Sequence, residues 1–94
     1  MAFLFMREYT VYIIRSDKDY YYIGQTSNLP DRLLRHNSNR SISTKNKGHW
    51  NVVVTQIVNS RSEAILFERK LKSMKNVQKA INYLEKLASE HPDC

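Results

Sequence analysis

Four consecutive residues, Val11-Tyr12-Ile13-Ile14, restrict this chain more than any other stretch. Side chains of an extended backbone alternate between faces, so Val11 and Ile13 point one way and Tyr12 and Ile14 the other. Both faces are apolar, which describes a covered, interior strand over Tyr9–Arg15. Asp17-Lys18-Asp19 interrupts it with the polar residues of a hairpin turn. Tyr20–Gln25 then reads as the returning strand, paired antiparallel with the first.

With 94 residues and 41% hydrophobic content, the chain can build one core but has no room for a second. Residues 1–94 are therefore expected to form a single domain. Ser27 or Asn28 can cap a following helix, Pro30 suits its first turn, and Asp31 places negative charge near its positive end. That helix is expected to reach about Asn37. From Asn37 to Gly48, Ser, Asn and Lys dominate, the composition of a mobile surface loop. Trp50–Val58, with Val52, Val53, Val54, Ile57 and Val58, is a β-branched third strand. Ser60-Arg61-Ser62-Glu63 forms a capping box that opens a helix with Ala64, Phe67 and Leu71 as its apolar stripe. A last amphipathic helix over about 77–89 presents Val77, Ala80, Ile81, Leu84 and Leu87 to the core. The order is β-β-α-β-α-α, an α+β architecture without repeats.

The net charge of +6 is concentrated in one place. No acidic residue falls between Asp31 and Glu63, whereas Arg32, Arg35, Arg40, Lys45, Lys47 and Arg61 all do. Those six equal the whole excess, since the other nine basic residues offset the nine acidic ones. A local cationic segment on a balanced chain points to a polyanionic partner; the bland alternative is a basic loop that aids solubility. The apolar start Met1–Met6 is too short for a signal-peptide core, and no later run approaches the ~18 apolar residues of a membrane span. A cytoplasmic location is expected. The single cysteine, Cys94, supports neither an internal disulfide nor a cysteine-based metal site.

Glu68 follows Ala64 by four residues and precedes Leu71 by three, so helical spacing sets it on or beside the apolar stripe. An ion there is usually paired or metal-bound, because burying it alone is costly. The alternative is a carboxylate at the stripe's edge, paired with Lys72 one turn on. Arg32 and His36 are likewise four apart and share their side of the first helix with Leu29 and Leu33. An arginine presented to a cleft can hold a phosphate with a planar pair of donors; a solvated helix flank is the plainer fate. Tyr9, Tyr12, Tyr20, Tyr21 and Tyr22 crowd the first two strands, where cross-strand aromatic packing alone could explain them. His36, His49 and His91 match no zinc-ligand spacing.

Taken in order, Val11-Tyr12-Ile13, Tyr22-Ile23-Gly24-Gln25-Thr26, Asn28-Leu29, Arg32, His36-Asn37, Glu63-Ala64 and Glu68 resemble the GIY-YIG nuclease family, and its short stand-alone bacterial members most of all. The resemblance spans about 9–75 and implies the family's small three-stranded antiparallel sheet flanked by helices. It also implies a metal-dependent endonuclease that hydrolyses phosphodiester bonds, acting in DNA repair or processing with some selectivity for DNA structure. Tyr12 and Tyr22 match the tyrosines of the two name-giving motifs, Arg32 the arginine that contacts the scissile phosphate, and Glu68 the glutamate that binds one Mg²⁺ or Mn²⁺. His36 stands where relatives carry histidine or tyrosine. Thr10-Val11-Tyr12 departs from the expected Gly-Ile-Tyr while keeping the tyrosine. Asn76 and Asn82 are two candidates for an asparagine some relatives use late in the domain.

On this resemblance Glu68 holds the metal, Arg32 neutralises charge on the phosphate, and Tyr12 is the general base. A free phenol titrates near pH ~10, so neighbours such as His36 must lower its pKa or take up the proton. Tyr22 would align the water or phosphate, and Arg35, Arg40, Lys45 and Lys47 would contact the nucleic-acid backbone. DNA is the expected substrate, with RNA not set aside, and a protein partner could supply specificity. A different class of function, a nuclease-like module that binds nucleic acid without cutting it, is also compatible with the composition.

Overall fold

The structure is a computed structural model and describes residues 7–90. Met1–Met6, His91 and Cys94 lie outside the described residues, and with them the expectations attached to those positions. The elements are β1 (Tyr9–Ser16), β2 (Tyr21–Thr26), α1 (Leu29–Asn37), a 3₁₀ turn (Ile42–Thr44), β3 (Trp50–Val58), α2 (Arg61–Ser73) and α3 (Val77–Glu90). The three strands form one antiparallel sheet in the order β2-β1-β3, so β1 is the interior strand its two apolar faces require. The expected α+β order holds throughout, with the returning strand starting one residue later, at Tyr21.

Alternation along β1 divides the core in two. Val11 and Ile13 pack with Ala64 and Leu71 of α2 and with Ala80, Ile81 and Leu84 of α3. Tyr12 and Ile14 face the other way, against Trp50, Tyr22 and the α1 residues Leu29 and Leu33. Full burial of a leucine such as Leu84 removes enough apolar surface to stabilise the fold by about 1.5–3 kcal/mol. Between Ile13 and Ile14 the register of β1 against β3 slips, pairing Ile13 with Val54 and Ile14 with Val52. Val53 is the extra residue of a β-bulge, and its neighbour Val52 is half-exposed with it.

Local capping explains where the helices begin. The Asn28 side chain accepts the Asp31 N–H at 3.1 Å, which selects Asn28 over Ser27 as the cap of α1. Ser60 caps α2 by accepting the Glu63 N–H at 3.2 Å. The reciprocal bond of the capping box runs one residue further upstream, with the Glu63 carboxylate accepting the Asn59 N–H at 3.0 Å. Asn76 caps α3 through Lys79 N–H at 3.1 Å, directly after Lys75 makes the tight turn from α2 with φ of 54°.

The segment between Asn37 and Gly48 is not the mobile loop its composition suggests. Thr44 is buried at 1% exposure, and its carbonyl accepts the Trp50 indole N–H at 3.4 Å. Asn37 clamps Trp50 from the other side, accepting its N–H at 2.6 Å and donating to its carbonyl at 3.1 Å, as a neighbouring strand would. Gly48 closes the loop at φ of 102°, where a Cβ would collide with the Asp17 carboxylate.

Candidate active site

Tyr12 is central on β1 and buried, and its hydroxyl meets His36 Nε2 at 2.9 Å. His36 reaches it from α1, one turn after Arg32, and is itself buried at 1% exposure. The other ring nitrogen, Nδ1, lies 2.8 Å from Thr44 Oγ1 in the 3₁₀ turn. A neutral imidazole donates through one nitrogen and accepts through the other, so bonds in the series Thr44, His36, Tyr12 run in one direction. Thr44 Oγ1 also lies 3.5 Å from the Ser41 carbonyl and can donate to it. That favours His36 Nδ1–H donating to Thr44 and Nε2 accepting from the Tyr12 hydroxyl.

Tyr22 completes the aromatic cluster, its ring centroid 4.9 Å from His36 and 6.2 Å from Tyr12. Gly24, paired with Tyr12 across the β1–β2 ladder, gives these rings their space. A Cβ at Gly24 would lie 2.7 Å from the Tyr12 hydroxyl oxygen and 2.8 Å from the Tyr22 ring. Only glycine leaves that corner open.

The electrostatics are opposite to what a tyrosine base acting alone requires. Burial pushes the Tyr12 hydroxyl far above the ordinary phenol range; Tyr22 adds to this, Arg32 opposes it, and Glu68 adds again. His36 is shifted down by burial first and by Arg32 second, which keeps the ring neutral near neutral pH. The surroundings thus hold the proton on Tyr12 and keep His36 neutral, with Nε2 as a hydrogen-bond acceptor.

Glu68 lies at the edge of the α2 stripe with its side chain 22% exposed, and its Oε2 pairs with Lys72 Nζ at 2.6 Å. This is the edge position and one-turn ion pair that helical spacing allowed. Its charge is nonetheless felt at Tyr12, as is that of half-buried Arg32. Among the described residues no three His, Cys, Asp or Glu side chains gather into a metal cluster. A lone carboxylate that leaves the remaining positions to water and phosphate is still a donor set that fits a hard ion such as Mg²⁺.

The four outlying cations do not converge on this cluster. Arg35, Arg40 and Lys45 are exposed, with Arg40 Nε donating to Ser38 at 2.9 Å. Lys47 turns back onto its own loop, donating to the Ser43 carbonyl at 2.9 Å with its ammonium 5.4 Å from the Tyr20 ring centre. Of the two asparagine candidates, Asn76 lines a cleft with Tyr22 and Lys72, whereas Asn82 is exposed and accepts from Gln78 at 3.1 Å. Thr44 escapes sequence reasoning altogether. A lone threonine in a Ser/Asn/Lys-rich loop has no periodicity to mark it as buried.

Two tyrosines and a histidine thus meet on the α1 side of the central strand, and the charges of an arginine and a carboxylate act on the same tyrosine, the group set of a compact hydrolytic enzyme. The family model of the GIY-YIG catalytic domain matches residues 8–82. The match takes in most of the chain, which therefore belongs to the GIY-YIG catalytic-domain family. Its members are nucleases that act on nucleic acid and generally use divalent metal ions. The expected resemblance to the family is borne out, and the matched span runs past the expected motif core into α3. The solution NMR structure of the UPF0213 protein BH0048 from Bacillus halodurans is similar at 26% identity, with 87% of this chain and 83% of that chain covered and a TM-score of 0.49. No curated protein matches the chain. No helix among the described residues is long and apolar enough to cross a membrane.

Proposed function

We propose that the chain is a single-domain, divalent-metal-dependent endonuclease that hydrolyses phosphodiester bonds in DNA, acting in the cytoplasm in DNA repair or processing. The observation that carries this reading is the buried contact of the Tyr12 hydroxyl with His36 Nε2, with the charges of Arg32 and Glu68 also acting on Tyr12, in a chain of nuclease lineage.

In this proposal Tyr12 works as a relay. Because its environment disfavours a phenolate, it does not lose its proton in advance. As the attacking water gives a proton to the Tyr12 oxygen, Tyr12 passes its own to His36 Nε2, and Thr44 holds the ring in the accepting tautomer. Arg32 offsets charge that builds on the phosphoryl oxygens. Tyr22 borders the water and keeps it in line. Glu68 would hold a Mg²⁺ or Mn²⁺ ion, which supplies Lewis-acid stabilisation of the phosphate and of the departing oxygen. Arg35, Arg40 and Lys45 meet the DNA backbone from outside, and Lys47 joins them by giving up its bond to Ser43.

The Lys72–Glu68 pair favours a second reading, because a carboxylate already neutralised by an ammonium suits a module that binds nucleic acid without cutting it. A cleavage panel over duplex, nicked, flap and branched DNA and RNA, with Mg²⁺ or Mn²⁺, separates the two. Nuclease function predicts metal-dependent products that Glu68→Gln abolishes while DNA binding persists. Tight binding with no products under either metal establishes the second reading.

A further inference from the structure

A cleft of about 380 Å³ opens beside the candidate site, between β2 and the α2–α3 junction. The chemistry proposed above makes no use of most of it. Ile23, Leu71 and Val77 give it an apolar floor, and Tyr21 and Tyr22 add aromatic surface. Lys72, Lys75 and Asn76 form its polar rim. A slot that combines apolar floor, aromatic walls and two ammonium groups is matched to a flat, partly apolar ligand that carries negative charge beside it.

Its position narrows the ligand further. Glu68 and Lys72 stand at i and i+4 on one face of α2, a climb of about 6 Å at 1.5 Å per residue, and Lys75 follows in the turn beyond the helix end at Ser73. These residues thus run from the proposed metal carboxylate to the cleft mouth, which Lys72 and Lys75 both border. At the far end Asn76 keeps its oxygen on the Lys79 N–H, so its amide group is the part left to donate to a ligand edge. Tyr21 is 40% exposed, with the Arg15 guanidinium 5.9 Å from its ring centre, which leaves ring surface for a further stacking partner.

We infer that this cleft receives the unstacked base of a nucleotide flanking the cleavage point, with its phosphate against Lys75, since Lys72 is paired with Glu68, and its ring against Tyr21. The proposal rests on the nuclease reading for its orientation relative to the scissile phosphate. Every nucleobase has a π face, so such a site tolerates sequence and discriminates by structure. A base paired and stacked within duplex cannot enter without being extruded, whereas one in a single strand, a flap or a gap enters freely. The substrate class that follows is DNA with an unpaired nucleotide beside the bond to be cut.

Binding, measured apart from cleavage, tests this. The full chain is titrated without metal into three fluorescent oligonucleotides: a single strand, the same strand with one abasic position, and the fully paired duplex. Tyr21→Ala is expected to weaken single-strand binding about tenfold, consistent with base–aromatic stacking, and to leave duplex binding unchanged. Tyr21→Phe, which keeps the ring, restores single-strand affinity, and thermal midpoints confirm that both variants fold. An abasic position should weaken binding by the wild type but not by Tyr21→Ala. Equal affinity of Tyr21→Ala and wild type for the single strand overturns the inference, as does an equal loss on single strand and duplex. If the ring-dependent preference is present and no metal yields cleavage, the base site stands and the nuclease reading falls. If Glu68-dependent cleavage is present without the preference, the reverse holds.

Discussion

The two faces of the sheet do different work although the same strand supplies both. Toward α2 and α3, Val11, Ile13, Ala64, Leu71, Ala80 and Leu84 are buried to 1% exposure or less, and no polar side chain interrupts them. Toward α1, Tyr12, Ile14 and Trp50 are buried as completely, but with Ser16, His36 and Thr44 among them. Those three are the buried polar residues of the described chain, and none of its buried side-chain nitrogen or oxygen atoms lacks a partner. One face is held by apolar area alone. The other spends part of its core on directional bonds, which orient groups but leave a costly vacancy when one partner is removed.

That contrast predicts opposite signatures for a substitution on each face. Tyr12→Phe should lower cleavage by about 10²–10⁴-fold, the range for loss of a positioned proton-transfer group. Its folding free energy should fall by only about 1–3 kcal/mol, the penalty for leaving His36 Nε2 unpartnered. Turnover and denaturant unfolding on the same preparation check both halves. Retained cleavage removes Tyr12 from the chemistry and erases the division between the faces.

Leu84→Ala should do the reverse. The cavity it leaves beneath α3 is expected to destabilise the protein by about 2–5 kcal/mol, a large part of the ~5–15 kcal/mol available to a small domain. Cleavage per folded molecule, measured well below the new melting transition, should stay near wild type. A matching loss of activity would mean that the apolar face also sets the geometry of the site.

Thr44 sharpens the comparison because it is structural in location and functional in its contact. Thr44→Val keeps the shape but removes the hydroxyl that holds His36 Nδ1, so the ring can adopt either tautomer. Cleavage should fall by about tenfold, the worth of a bond of ~1.4 kcal/mol, and Thr44→Ser should restore it. Equal activity in Thr44→Val and Thr44→Ser would reduce Thr44 to a packing residue.

The sequence is legible where physics is local and periodic. Alternation in Val11–Ile14 announces an interior strand, the caps at Asn28 and Ser60 announce helix starts, and the i,i+4 spacing of Arg32 and His36 puts both toward the sheet. The spacing of Ala64, Glu68 and Leu71 places the carboxylate at the stripe's edge, and its Lys72 partner is one turn away. What stays hidden depends on contacts between distant segments. Thr44 is buried by a histidine eight residues earlier and a tryptophan six residues later, and no window on the loop alone contains that reason. The sense of the Tyr12 shift is hidden too, since it follows from burial rather than from the positive charge nearby.

Acid stability gives the smallest expected difference between the faces. His36 is held below its ordinary value of ~6.5 by burial and then by Arg32. Between the lowered folded value and ~6.5 the unfolded chain binds more protons at this position than the folded one, so stability rises with pH across that window. The contribution is complete above ~6.5 and is lost as pH falls through the folded value. Thermal midpoints from neutral pH down to about pH 5, above the ordinary carboxylate range, should therefore fall more steeply in wild type than in His36→Gln, which keeps a polar partner for Tyr12 but does not titrate. Leu84→Ala should shift the whole curve down without changing its slope. Parallel curves for wild type and His36→Gln would show that His36 takes up its proton without loss of stability, and the polar face would then be no more acid-sensitive than the apolar one.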